Sequence, residues 1–216
     1  MREIIKVVKE KLVAKYLKDS SLKNYSKKTK KFNPRIKARF RKNKQIIGKN
    51  IGNFFDWIKG AELVELKECN TKEDPVRPEL DNTFRRSYGR KIFGVKYKRE
   101  IHAVMCFAYT NEIPKSVEEL DIMSQDAHLQ STLRGQNVGK IAIAYTVWSK
   151  KKGGGKLIVK EVFNKIKKSN HLNRLVTLSP LTDMAYKFHI KNGAKLISVN
   201  ETTQNFEYKV IKNKKY

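Results

Sequence analysis

Cysteine is scarce: Cys69 and Cys106 are the only two among 216 residues, far apart in the chain and without metal-ligand or redox spacing. That excludes a disulfide framework and points to a reducing, cytoplasmic setting with two structural thiols. The four histidines, His102, His128, His171 and His189, share no ligand spacing, so no metal centre is expected. Long apolar runs are missing as well. Charges interrupt every apolar pair of the opening Met-Arg-Glu-Ile-Ile-Lys-Val-Val-Lys-Glu-Lys, and neither a signal-peptide core nor a membrane span can be drawn there or later. Acidic side chains are few outside the middle of the chain. Against 48 Lys and Arg stand 21 Asp and Glu, a net charge of +27. It is distributed as +15 over residues 1–60 (19 basic, 4 acidic), −2 over 61–130 (11 and 13) and +14 over 131–216 (18 and 4).

Such an excess draws polyanions in a salt-dependent way. RNA, DNA or a ribonucleoprotein is the expected macromolecular partner, with Arg35, Arg39, Arg41 and Lys42 tracking phosphates and Phe40 stacking or anchoring. From Glu3 to Lys18, Ile4, Ile5, Val8, Leu12, Val13, Tyr16 and Leu17 recur every three or four residues, the pattern of an amphipathic helix with lysines opposite. Residues 1–60 read as a basic, mainly helical extension. The apolar run Ile51 to Ile58 that ends it is expected to pack on a main domain over residues 61–216.

Within that domain Lys91 to Lys98 alternates apolar and polar and Ile101 to Thr110 is continuously apolar, a hairpin turning at Lys98, Arg99 and Glu100. A short helix over Ser116 to Met123 carries Glu118 and Glu119 in its first turn. Then come a strand from Lys140 to Trp148, a glycine turn, a helix from Gly155 to Lys168, a strand from Leu175 to Leu178 and a helix from Thr182 to Asn192. Strands Ala194 to Val199 and Asn205 to Ile211 complete an α/β domain.

The turn Lys150-Lys-Lys-Gly-Gly-Gly-Lys156 sits between a strand and a helix, where glycine lets the backbone approach an anion and the first helical turn has amide protons to offer. A nucleoside-triphosphate loop is excluded, because Lys150 stands where that loop needs glycine and Leu157 where it needs Ser or Thr. A dinucleotide turn fails at its third glycine. Ser179 lacks the glycines of a nucleophile elbow, so a serine hydrolase is not expected.

Lys150-x-x-Gly153-x-Gly155 before an apolar helix resembles the diphosphate signature of the GNAT N-acetyltransferase superfamily. About thirty residues on, Ala185-Tyr-Lys-Phe188-His189-Ile-Lys-Asn-Gly193-Ala194 resembles the second hallmark of that family, and the likeness runs from Arg90 to Ile211. It implies a mixed central sheet of about six strands flanked by helices, and acetyl-CoA or another acyl-CoA laid in the gap between the strands of Lys140–Trp148 and Leu175–Leu178. The residues implied at the coenzyme are Tyr145, Val147, Trp148, Lys150, Lys151, Gly153, Gly154, Gly155, Lys156 and Phe188. His189 stands where the family keeps its proton donor, and Glu118, Glu119, Asp121 and Asp126, before the third strand, are the candidates for the base, with Glu119 put forward among them. The implied reaction is acyl transfer to the primary amine of an anionic or nucleic-acid-associated acceptor. Two alternatives stand beside it. One is a non-catalytic nucleic-acid binder; the other is a decarboxylation or lyase step on an acyl-CoA, for which Thr177-Leu-Ser-Pro180 resembles malonyl-CoA decarboxylases.

Overall fold

The computed structural model describes residues 52–54, 56–135 and 139–210. The chain divides into two compact units, Met1–Lys59 and Gly60–Tyr216. In the first, residues 52–54 and 56–59 are helical. The expected helix over Glu3–Lys18 and the basic cluster Arg35, Arg39, Phe40, Arg41 and Lys42 lie outside the described residues.

The second unit is a seven-stranded sheet with helices on both faces. Its elements are β1 (Glu62–Leu66), α1 (Asn82–Arg86), β2 (Lys91–Tyr97), β3 (Glu100–Thr110), α2 (Val117–Arg134), β4 (Ile141–Ser149), α3 (Gly154–Lys168), β5 (Arg174–Pro180), α4 (Asp183–Lys191), β6 (Lys195–Val199) and β7 (Thr203–Tyr208). The strand order is β1-β2-β3-β4-β5-β7-β6. Every neighbouring pair is antiparallel except β4 and β5. The strand beyond the expected six is β1, whose Glu62 and Glu65 are exposed at the sheet edge, where charge discourages further pairing.

The β2–β3 hairpin turns through Lys98 and Arg99, at φ 50° and 70°, with Glu100 already in the strand and paired with Tyr97. Two residues at positive φ make the turn whose twist suits a tight hairpin. On one face of the sheet Ile92, Val104, Cys106, Ala108, Ile143, Tyr145, Val176 and Leu178 meet Leu120 of α2, with Leu80 and Phe84 packed against them. The other face is covered by α3, which buries Leu157, Ile158, Val162 and Ile166, a stripe at helical spacing.

Helix α2 runs for 18 residues, well past the expected Met123. Ile122, Leu129 and Leu133 point outward at 67%, 51% and 85% exposure, while the buried Ser124 receives the Arg90 guanidinium at 2.7 Å. With apolar residues outside and a hydroxyl inside, the sequence shows no stripe to mark the length of the helix. Ser116 caps its start, accepting the Glu119 amide at 3.2 Å, and Gly135 at φ 61° ends it.

Candidate functional site

The sheet opens at one place. β4 and β5 pair in parallel from Ile141–Arg174 to Ala144–Thr177 and no further, although both strands continue, β5 keeping its other edge on β7 as far as Pro180. Beyond Ala144 and Thr177 the two strands bound a wedge. β4 also carries an extra residue here: Cys106 faces Thr146 and Phe107 faces Ala144, leaving Tyr145 unmatched. This bulge puts Tyr145 and Thr146 on the same face of the sheet in succession.

The loop before α1 is fastened onto that bulge. Asp74, 1% exposed, accepts the Thr146 hydroxyl at 2.8 Å, the Arg85 guanidinium at 2.8 Å, and the amides of Val76 and Arg77 at 2.9 and 3.2 Å. With its backbone so held, Arg77 reaches across the apex of the wedge. Its Nε donates to the Tyr145 carbonyl at 2.9 Å and its Nη2 to the Leu178 carbonyl at 3.3 Å, one acceptor on each parted strand. The Tyr145 carbonyl therefore faces the gap, and strand alternation turns the amide and carbonyl of Val147 to the same side.

The glycine turn lies at the open end. Gly153 caps α3 with φ 85° and offers no side chain to its amides. A Cβ on Gly154 would meet Ser149 Oγ at 2.3 Å, and one on Gly155 would meet the Phe188 ring at 3.2 Å. Gly154 N is satisfied by the Lys151 carbonyl at 2.9 Å, so the amides of Gly155 and Lys156 are the ones presented at the helix start. Lys150 Nζ pairs with Glu73 at 2.7 Å, and Lys151 Nζ lies 4.8 Å from the Tyr97 ring centre. Diphosphate chemistry fits the backbone of this turn and the helix dipole behind it.

On β5, one residue past the Arg77-held carbonyl, stands the pair that the sequence did not disclose. Ser179 Oγ lies 2.9 Å from His189 Nε2 of α4, and His189 Nδ1 lies 2.9 Å from the Tyr208 hydroxyl of β7. Ser179 donates to Thr177 Oγ1 at 3.1 Å. That direction makes His189 Nε2–H the donor to Ser179 and Tyr208 O–H the donor to Nδ1, a one-way chain through a neutral imidazole. Burial pushes the His189 pKa down to about 4 and raises that of Tyr208. The resemblance places His189 where the family keeps its proton donor. Its burial beneath Phe206, stacked at 4.8 Å, removes the charged form instead.

The remaining candidates divide by face. Tyr145 and Trp148 turn their side chains into the α2-side core, where Tyr145 meets Phe84 edge-on at 6.0 Å, so only their backbone borders the wedge. Val147 is half-buried on the opposite side of the strand. Phe188 covers the glycine turn. Glu119 stands at the start of α2, where its carboxylate accepts the Lys115 amide at 2.7 Å. Ser179 was legible only as Thr-Leu-Ser-Pro, and Arg77 only as one basic residue in an acidic, proline-containing loop.

No family model and no curated protein matches the sequence. Solved structures do match its fold. A malonyl-CoA decarboxylase from Agrobacterium vitis superposes with TM-score 0.55 at 14% identity, covering 73% of this chain and 63% of that one. The chain thus spans under two-thirds of that decarboxylase. The GphF GNAT-like decarboxylase, solved in complex with isobutyryl-CoA, gives 0.55 at 9% identity over 69% of this chain and all of the other. The loading GNATL domain of CurA from Lyngbya majuscula gives 0.50 at 12% identity over 69% and 98%. At such identities the likeness is one of architecture. A seven-stranded mixed sheet, split between its parallel strands above a glycine turn, is the fold of the GNAT superfamily, and this chain has it.

Proposed function

We propose that the wedge binds an acyl-coenzyme A thioester, its diphosphate on the Gly155 and Lys156 amides, and that Ser179 and His189 act on the acyl end to decarboxylate a malonyl-type group. The observation that carries this reading is the buried, neutral Ser179–His189 pair beside the parted strands. An imidazole with a pKa near 4 is a poor acceptor for an ammonium proton and a poor donor at neutrality. Decarboxylation asks for neither. The bond from the α-carbon to the carboxylate breaks, its electron pair moves into the thioester as an enolate, and carbon dioxide leaves. The charge that develops on the thioester oxygen needs a fixed hydrogen-bond donor in a dry site. Ser179 O–H, turned from Thr177 toward the ligand and backed by His189 Nε2–H, is that donor. The proton that completes the acyl product at the α-carbon comes from water entering the wedge. The GNAT-like decarboxylase with isobutyryl-CoA supports the placement of a thioester in such a fold, and the Thr177-Leu-Ser-Pro180 likeness supports the chemistry.

The test is incubation of the full chain with malonyl-CoA, followed by mass spectrometry for acetyl-CoA. Ser179→Ala and His189→Asn are expected to slow its appearance by about a hundredfold or more, the usual effect of removing one such donor. Unchanged malonyl-CoA, together with acetylation of an added amine by acetyl-CoA, would replace this reading with N-acyl transfer. That second reading draws on the net +15 of residues 1–60, which suits an acceptor carried on nucleic acid; retention on heparin lost with residues 1–50 would favour it.

A further inference from the structure

The structure assigns to Arg77 the recognition of a carboxylate at the far end of the acyl group: it is the residue that selects a dicarboxylic acyl thioester over a simple one. The inference rests on a thioester lying in the wedge and adds the group that chooses among thioesters. Arg77 is 9% exposed. Two of its three guanidinium nitrogens are spent on the Tyr145 and Leu178 carbonyls, and the third finds no protein acceptor among the described residues. Nor does any carboxylate there come within ion-pairing distance of it, whereas the neighbouring Arg85 and Arg90 are paired with Asp74 and Asp121. Asp74 holds the Arg77 backbone but gives its side-chain contact to Arg85. Burial works against the charge on Arg77, and the more distant carboxylates of Glu79, Asp74 and Glu118 offset it only in part. Guanidinium keeps its proton even so.

A guanidinium nine-tenths buried and without a counter-ion is costly, and the cost falls when a ligand brings the anion. The position says which part of the ligand that is. From Ser149, beside the glycine turn, to Tyr145 the wedge runs four residues along β4, roughly 13 Å at the rise of a strand. A thioester with its diphosphate at the open end presents its acyl end at the apex, where the strands part and Arg77 bridges them. On β5 the Arg77-held carbonyl belongs to Leu178 and the hydroxyl to the adjoining Ser179, so a short acyl group such as malonyl is the one this end of the wedge would receive. A planar fork suits a carboxylate in a way that an ammonium does not.

The test is titration calorimetry of malonyl-CoA and acetyl-CoA against the wild type, Arg77→Gln and Arg77→Lys, each carrying Ser179→Ala to suppress turnover, with melting temperatures recorded for each protein. Wild type is expected to bind malonyl-CoA about tenfold or more tightly than acetyl-CoA, the scale of a charged hydrogen bond. Arg77→Gln should abolish the preference while leaving acetyl-CoA within about twofold of wild type. Arg77→Lys, which keeps the charge and loses the fork, should keep part of it. Equal affinities of wild type for both thioesters, or an equal loss of both in Arg77→Gln, overturns the assignment and leaves Arg77 as a tie between strands. Binding of neither thioester to wild type overturns the acyl-CoA reading itself and the assignment with it. If Arg77→Gln does not fold, Arg77→Lys decides: a malonyl-CoA affinity reduced alone supports the assignment, and both affinities unchanged or both reduced overturns it.

Discussion

Removing the Asp74 carboxylate tests whether the loop that carries Arg77 is held as described. Asp74→Ala strips a partner from four groups at once: the Arg85 guanidinium, the Thr146 hydroxyl, and the amides of Val76 and Arg77. The largest part comes from Arg85, whose side chain and that of Asp74 are both fully buried. Leaving a buried charge without its counter-ion costs about 3–5 kcal/mol. Arg85 keeps hydrogen bonds to the Leu80 and Arg77 carbonyls at 2.8 Å and to Cys106 Sγ at 3.3 Å, which moves its share to the lower end of that range. Thr146 and the two amides add about 1 kcal/mol between them once water reaches the space. The expected loss is about 4 kcal/mol, a large part of the ~5–15 kcal/mol of a typical domain, and a fall in melting temperature of roughly 8–16 °C for a unit of this size. Chemical denaturation read by intrinsic fluorescence measures it, with the slope unchanged if only the native state is affected. Asp74→Ala/Arg85→Met, which removes both charges, is expected to recover at least about 1 kcal/mol relative to Asp74→Ala alone. A loss under about 1 kcal/mol in the single variant, or a double variant as unstable as the sum of two singles, would refute the argument that this pair is a buried, mutually dependent unit.

Four further outcomes are expected. Because the His189 pKa is depressed to about 4 from an ordinary 6.5, the unfolded chain binds the extra proton between those values. The contribution of His189 to stability is complete above pH 6.5 and is lost as pH falls toward 4, by up to about 3 kcal/mol; urea titrations at stepped pH should show that slope and His189→Asn should flatten it. For the same reason kcat/KM for malonyl-CoA should show no inflection between pH 6 and 7 attributable to His189, and one there that vanished in His189→Asn would contradict the burial argument. At the glycine turn, Gly154→Ala drives a methyl into Ser149 Oγ, which holds the Lys151 carbonyl at 2.7 Å and its amide at 3.2 Å, and should cost about 1–2 kcal/mol. Gly155→Ala meets only the yielding edge of Phe188, so it should leave stability within about 1 kcal/mol while weakening coenzyme A binding severalfold by calorimetry.

What the sequence disclosed follows from where the signal is local. The β2–β3 hairpin, the helix after the glycine turn and the Gly193 stop after α4 are written in periodicity and turn chemistry, and the structure has all three. β1 was missed because a short edge strand with glutamates facing water looks like loop. The length of α2 was missed because its apolar residues point outward and its inner face uses Ser124 to receive Arg90. His189 was legible from its place in a helix motif, but its neutrality comes from Phe206 and Tyr208, both distant in sequence. Ser179 and Arg77 become functional groups only through pairing across the fold: 10 residues separate Ser179 from His189, and 68 separate Arg77 from Tyr145. No local pattern records such meetings.

The extra residue in β4 has a consequence for how this chain tolerates change. Upstream of Tyr145 the odd-numbered residues of the strand face α2; downstream it is Thr146 and Trp148 that do. Excising Tyr145 would restore a regular ladder, with Thr146 still opposite Cys106 and Trp148 still opposite Val104. Thr146 and Trp148 would keep their places, and what would go is the Tyr145 ring from the core and the carbonyl that Arg77 holds. A substitution at Tyr145 changes its ring alone; a shortening there by a single codon would also take away one of the two carbonyls that Arg77 ties across the parted strands.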